Sequence, residues 1–186
     1  MTSIFELWLP ILLSSAFVFI VSSILNSVLT YHQSDYEKLP QEEEIAKALQ
    51  PFNIPPGDYV TPKPKNTADM RSDEYQTKLK EGPVAFLTIM PNGAWSMTAS
   101  LLQWFVYCLA IGVFAAYVTG RIYGPGAYYL DVFRFVGTTS FLAYSMALFQ
   151  NSIWFKRKWS TTFKFVFDGL VYSLLTAGIF GWLWPG

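Results

Sequence analysis

Residues 7–30 read LWLPILLSSAFVFIVSSILNSVLT, and no charged side chain interrupts them. The hydrocarbon core of a bilayer is about 30 Å thick and takes about 20 helical residues to cross. The stretch is therefore expected to form a transmembrane helix. Pro10 falls in its first turn, where a missing N–H costs nothing, and Trp8 suits the membrane interface. A cleavable signal peptide fits less well. Glu6 is the only charge before the apolar run, so there is no basic leading region, and Ser22-Ser23-Ile24 is a poor cleavage site.

Working outward, Gly82 to Gly120 is again uncharged, but it is too long for one span, and Pro91-Asn92-Gly93 reads as a turn. The second span is placed at 97–118. Gly124-Pro125-Gly126 then breaks the chain. A third span, 132–155, opens beside Asp131 and Arg134 and is closed by Lys156-Arg157-Lys158. A fourth, 162–184, ends in two interfacial tryptophans followed by Pro185 and Gly186. The fold class is thus an all-α membrane protein, a four-transmembrane-helix bundle treated as one membrane domain over 1–186. A mixed loop of about 65 residues, 31–96, is too short to ensure a core of its own.

The chain has 186 residues, 52% hydrophobic and 18% aromatic, with 14% charged. Ordinary soluble domains carry about 25% charged residues, and a disordered chain would be far less apolar. Thirteen basic residues balance 13 acidic ones, which argues against nucleic acid as a partner. Basic residues also set orientation. The 31–96 and 156–164 connections hold all of them except Arg121 and Arg134. By the positive-inside rule these connections are cytoplasmic and both termini lie outside.

Within the cytoplasmic loop, Pro40 before Gln41-Glu42-Glu43-Glu44 signals a helix start with acids at its positive end and Ile45 and Leu49 on one edge. Residues 52–65 carry Pro55, Pro56, Pro62 and Pro64 and must be extended or turning. Ser72-Asp73-Glu74 caps a second helix that stops at Gly82-Pro83. Residues 84–90 read as a strand-like or interfacial segment. Phe52, Tyr59, Tyr75, Phe86 and Ile89 make the loop resemble a cap laid on the membrane.

Two stripes of small residues at four-residue spacing predict close helix packing. One is Cys108, Gly112, Ala116 and Gly120; the other is Gly169, Ser173, Ala177 and Gly181. They serve either as seams inside the bundle or as contacts with other subunits or further copies of the chain. Ser14, Ser15, Ser22 and Ser23 are expected to bond within their own helix or to a neighbour.

Sorted by depth, Asn26, Gln103, Gln150, Asn151 and Asp168 all fall toward the cytoplasmic end and form a candidate polar cluster. Asp168 sits about 9 Å along its helix from 162, where an ionisable group is a functional candidate. Lys164, four residues earlier, offers it an ion pair. Asp131 and Arg134 are expected to pair at the opposite interface. His32 is the sole histidine, which excludes the usual metal-and-triad constellations. With Asp35, Glu37 and Glu42 to Glu44 it is the one weak metal candidate, although a solvated acidic stretch explains the same residues. Cys108 reads as a packing residue. No phosphate loop or nucleophile elbow is present. No cofactor follows, and the reading leans away from an enzyme. Trp8, Tyr117, Tyr123, Tyr128, Tyr129, Trp182 and Trp184 form the outer aromatic belt, and Tyr31, Trp95, Trp104, Trp154 and Trp159 the inner one.

Phe135-Val136-Gly137-Thr138-Thr139 through Ser152-Ile153-Trp154-Phe155, Lys158-Trp159-Ser160-Thr161-Thr162 and Phe180-Gly181-Trp182-Leu183-Trp184 resemble a family of small bacterial four-helix integral membrane proteins without an assigned activity. The resemblance covers mainly the last two spans. It implies the bundle and a bacterial inner membrane, and it carries over no site residue; the long loop departs from the shorter members. The expected role is a non-catalytic accessory or scaffold subunit of a membrane complex. Two alternatives stand beside it: a small-molecule or ion transporter using the polar cluster, and a cofactor- or metal-binding protein using His32.

Overall fold

The computed structural model describes every residue except Trp95, so the belt position expected for that tryptophan lies outside the described residues. A 3-10 turn, Ile4–Leu7, leads into α1 (Trp8–Ser27), and a second turn, Thr30–Ser34, follows it. Then come α2 (Glu42–Leu49), β1 (Gly57–Thr61), α3 (Asp73–Glu81) and β2 (Ala85–Ile89). The rest is helical: α4 (Met97–Ile122), α5 (Tyr129–Ser145), a 3-10 turn at Met146–Leu148, α6 (Phe149–Phe155) and α7 (Trp159–Trp182). The chain divides into two units, Met1–Tyr36 with Ser96–Gly186, and Glu37–Trp95.

In the first unit four helical segments are long and apolar enough to cross a membrane: Ile4–Ser27, Met97–Ile122, Tyr129–Phe155 and Trp159–Trp182. Their limits differ from the sequence reading by a few residues. The first stops at Ser27 rather than Thr30, because the chain turns to direct Tyr31 and His32 sideways. The second continues past Val118 to Ile122, with the Arg121 guanidinium over the Tyr117 ring at 5.2 Å and a basic residue placed favourably in the last turn. The third starts earlier, at Tyr129, and is interrupted at Met146–Leu148, next to Ser145, whose hydroxyl donates to the Val166 carbonyl at 3.3 Å. The fourth begins at Trp159 and ends at Trp182; beyond it the Trp184 indole donates to the Gly124 carbonyl at 2.9 Å.

These helices close a ring in which α1 packs on α4 and α7, and α5 packs on α4 and α7. The small-residue stripes explain the close approach. A Cβ placed on Gly112 would meet Ile11 at 3.3 Å, and one on Gly120 would lie 2.5 Å from the Thr2 carbonyl oxygen. The α4 stripe therefore faces α1 and its lead-in. A Cβ on Gly169 would collide with Ser145 Oγ, and one on Gly181 would fall 2.7 Å from the Tyr129 ring. The α7 stripe therefore faces α5, with Ala177 against Gly137. Cys108, Ala116, Ser173 and Ala177 are buried. Both stripes are seams within this chain, and the two do not face each other.

Two apolar clusters fill the ring. Leu7, Ile11, Ala115, Ala116, Val132, Val136, Ala177 and Phe180 occupy the end nearer the N-terminus. Val18, Cys108, Ile111, Tyr144 and Tyr172 occupy the other. Ser14 and Ser15 donate to the Ile11 carbonyl, and Ser22 and Ser23 to that of Phe19, which keeps their hydroxyls satisfied in an apolar setting.

In the second unit, β1 and β2 pair antiparallel from Gly57 opposite Ile89 to Thr61 opposite Ala85. Of the strand-like and interfacial readings of 84–90, the strand is the one present, and its partner is the proline-flanked 57–61 segment. Helix α2 begins only after Gln41, whose φ of 51° is left-handed, so Pro40 is not its first residue. Helix α3 is capped as its sequence predicts, with Ser72 Oγ accepting from the Tyr75 N–H at 3.1 Å. It stops at Gly82, where φ is +68°, a value that favours glycine.

Candidate functional site

The site begins where α1 ends. The Val28 and Leu29 N–H groups both donate to the Ile24 carbonyl and finish the helix. Leu29 is extended, and the Thr30–Ser34 turn then closes, with the Asp35 N–H donating to the His32 carbonyl at 3.0 Å. This tight turn presents Tyr31, His32 and Asp35 to one face of α7, where Lys164 and Asp168 stand one helical turn apart.

The His32 ring lies between two carboxylates. Its Nδ1 is 2.5 Å from Asp35 Oδ2 and its Nε2 is 2.8 Å from Asp168 Oδ2. The Tyr31 hydroxyl donates to the second oxygen of Asp168. Lys164 Nζ donates to Asp35 Oδ1 at 2.9 Å, to Ser34 Oγ at 2.8 Å and to the Tyr31 carbonyl at 2.5 Å, which uses all three of its protons. Side-chain exposure is 10% for His32, 3% for Asp35 and 2% for Asp168, against 24% for Lys164. The ring also packs against Phe165 at 4.8 Å, and the Arg157 guanidinium covers the Phe165 ring at 4.7 Å.

Two expectations are corrected here. Lys164 does not pair with Asp168 along the helix; it reaches across to Asp35, and Asp168 is taken by His32 and Tyr31. The reason is competition: the 30–34 turn delivers better-placed partners than the next turn of the same helix. Nor are His32 and Asp35 part of a solvated acidic stretch, since both are drawn into the unit, while Glu42, Glu43 and Glu44 are exposed. The proposed five-residue polar cluster is divided. Asn26 reaches the Tyr172 side chain, which lies within the field of Asp168. Gln103 and Gln150 are exposed and Asn151 is half-buried. His32, Tyr31 and Asp35 are the members that depth sorting left out. Their signal was the i, i+3 spacing of His32 and Asp35 at the same end as Asp168.

Electrostatics follow from the geometry. Burial alone would raise the Asp35 carboxyl, but the hydrogen bonds and charges of His32 and Lys164 outweigh it and hold the group below its ordinary value. Burial, reinforced by the adjacent Asp168 carboxylate, pushes the Tyr31 phenol well above its ordinary value, so it stays a donor. With both carboxylates ionised, the imidazole can donate at both nitrogens only when it carries two protons. In that state two acids face an ammonium and an imidazolium, and the formal charges cancel.

Neither ring nitrogen, so engaged, is turned toward a vacant ligand position. Among the described residues no group of three or more His, Cys, Asp or Glu side chains has the arrangement to hold a metal ion. Deeper in the ring of helices lies an aromatic layer. Tyr172 packs on Tyr144 at 5.5 Å and on Trp104 at 5.9 Å, and the Trp104 indole donates to Ser22 Oγ at 2.8 Å. At the other end of the helical unit Arg134 and Asp131 form the expected pair, at 3.6 Å and exposed.

Comparison with protein-family models, with curated proteins and with solved structures returns no match. The functional reading rests on this chain's own residues.

Proposed function

We propose that the chain is a multi-pass protein of a bacterial inner membrane, with both termini outside the cytoplasm. Its role is that of a non-catalytic accessory subunit which contacts another membrane-complex protein through the Glu37–Trp95 unit. The observation that carries this reading is that none of the described residues of that unit is buried. A two-stranded sheet and two short helices have little stability without a shared core. Phe52, Val84, Phe86, Leu87 and Met90 are all exposed, and apolar surface of this kind is stabilised by a partner. The four-helix body is less suited to the task, because both of its small-residue stripes are used internally.

Site-specific photocrosslinking in native membranes tests the reading. A photoreactive residue at Phe86 or Leu87 should give one discrete adduct with a different protein, absent when the probe is placed at Lys63. Adducts with lipid alone, or with a second copy of this chain alone, would overturn it.

A second reading, ion or proton translocation, draws support from Asp168, which is ionisable and buried within a membrane-length helix. Purified protein in liposomes should then show a flux that Asp168→Asn abolishes with the fold intact. Equal flux in both would remove Asp168 from any such mechanism.

A further inference from the structure

The His32 centre joins two elements distant in sequence, and its geometry depends on a proton count. The groups that face the ring are few. From its own turn come Asp35 at Nδ1 and Tyr31, whose ring lies 4.1 Å away. From α7 come Asp168 at Nε2, Phe165 on the ring face, and Lys164 acting through Asp35. Tyr172 stands behind Asp168 with Asn26 of α1 beside it, and Arg157 lies beyond Phe165.

We propose that this centre is a proton-operated clamp on the segment that leads into the extramembrane unit, closed while the His32 ring carries two protons and loosened when it gives one up. When a proton passes from the ring to solvent, one nitrogen keeps its N–H and the other turns a lone pair toward a carboxylate oxygen. Two acceptors then face each other at less than 3 Å. The centre also acquires an uncompensated negative charge where water is scarce, which is costly. The contact that yields is the one to Asp168. Asp35 lies on the same short turn and stays beside Nδ1 whatever α7 does, whereas Asp168 belongs to the other element. Lys164 and the Tyr31 hydroxyl keep the turn near α7, so the result is loosening, not detachment.

Position in the chain gives the clamp its consequence. Tyr36 is the last residue of the membrane-length unit and Glu37 the first of the other, so the clamped turn is the covalent lead into the second unit. The clamp stands independently of whether that unit meets a partner. At the acid end, protonation of Asp35 would free both Lys164 and the ring. The clamp is therefore closed over a window of pH and loosens on either side.

His32 is the only histidine in the chain, so its ring nitrogens give unambiguous nitrogen-15 resonances in the full-length protein in nanodiscs. Across a pH series, both nitrogens should be in the N–H form at the lower end, with one losing its proton as pH rises. Backbone amide exchange at residues 29–35, corrected for the intrinsic pH dependence, should speed up about tenfold over the same series. His32→Gln, which offers one donor and one acceptor at every pH, should abolish that step. A ring that keeps both N–H protons throughout the series, loss of a proton without faster exchange, or a step that survives in His32→Gln would each overturn the proposal. The first two readouts need no variant, so a misfolded His32→Gln protein does not protect it.

Discussion

His32 Nε2 lies 2.8 Å from Asp168 Oδ2, a contact that spans 136 positions of the sequence and joins the turn after α1 to the interior of α7. Both side chains are largely removed from solvent, and each supplies the other with a charge-assisted hydrogen bond that little water is there to replace. Removing one partner of such a pair leaves a buried group uncompensated, at a cost of about 3–5 kcal/mol. Asp168→Ala is expected to destabilise the four-helix unit by that amount in reversible detergent unfolding. Asp168→Asn, which keeps the volume and one acceptor, should cost less. Combined with His32→Gln, Asp168→Ala should be less damaging than the two single effects added together, with a coupling of about 0.5–3 kcal/mol. Simple additivity would show that the two side chains do not hold each other.

Helix α7 carries two glycines three residues apart in opposite circumstances. A Cβ on Gly181 would lie 2.7 Å from the Tyr129 ring, whereas one on Gly178 would approach nothing closer than the Tyr129 hydroxyl at 3.9 Å. Gly181→Ala must therefore push α5 away and should cost about 1–3 kcal/mol, as overpacking does. Gly178→Ala meets no such obstacle and gains helix propensity, worth up to about 1 kcal/mol. Unfolding of the two variants side by side should move in opposite directions; equal destabilisation would mean that the α5–α7 seam is not as close as this.

How far the sequence could be read follows from the length scale of each signal. Four spans were legible because long apolar runs with at most two charges admit few other structures, and the Ser72 cap because it is decided within four positions. The small-residue stripes announced close packing but not its direction, since Gly112 and Gly181 look alike until their neighbours Ile11 and Tyr129 are in place. The charged centre was seen in halves. Lys164 and Asp168 share one helix face and His32 and Asp35 one turn, so each half looked self-sufficient. What joins them is the change of direction at Leu29, a backbone event that leaves no periodic trace. The pairing of 57–61 with 85–89 was hidden for a similar reason, because four prolines in 52–65 mask a short edge strand whose register depends on a distant partner.

Asp35 links the centre to acid stability. Its carboxyl titrates lower in the folded protein than in the unfolded chain, because the hydrogen bonds from His32 and Lys164 outweigh the effect of burial. As pH falls, the unfolded chain takes up the proton first, so folding loses free energy. The contribution is fully present above the ordinary value of about 3.9 and disappears as pH falls through the lower folded value. Asp69 and Glu74 are also held low, by hydrogen bonds from the Lys65 N–H and from Lys78, so the whole chain should lose stability on acidification. The Asp35 share is isolated by subtraction: Asp35→Asn should be less stable than the natural protein at neutral pH, and the gap should narrow between about pH 5 and about pH 3. A gap that stays constant over that interval would show that Asp35 has the same affinity for a proton in both states.

One polar bond crosses between α1 and α4 inside the apolar interior, where the Trp104 indole N–H donates to Ser22 Oγ at 2.8 Å. The hydroxyl that accepts is already spent as a donor on the Phe19 carbonyl at 2.9 Å, so its lone pair is free for the indole and its orientation is fixed. Between membrane helices such bonds contribute about 0.6 kcal/mol on average, because the separated helices also find partners. Ser22→Ala removes only the acceptor and leaves the indole N–H buried without one, whereas Trp104→Phe removes the donor together with much of the packing against Tyr172 and Tyr144. The Trp104 variant should therefore be the more destabilising, by about 1–3 kcal/mol. Ser22→Ala made in the Trp104→Phe background should then cost nearly nothing. If it costs as much there as in the natural protein, the serine is stabilising α1 through the Phe19 carbonyl alone and the bond to Trp104 does not tie the two helices together.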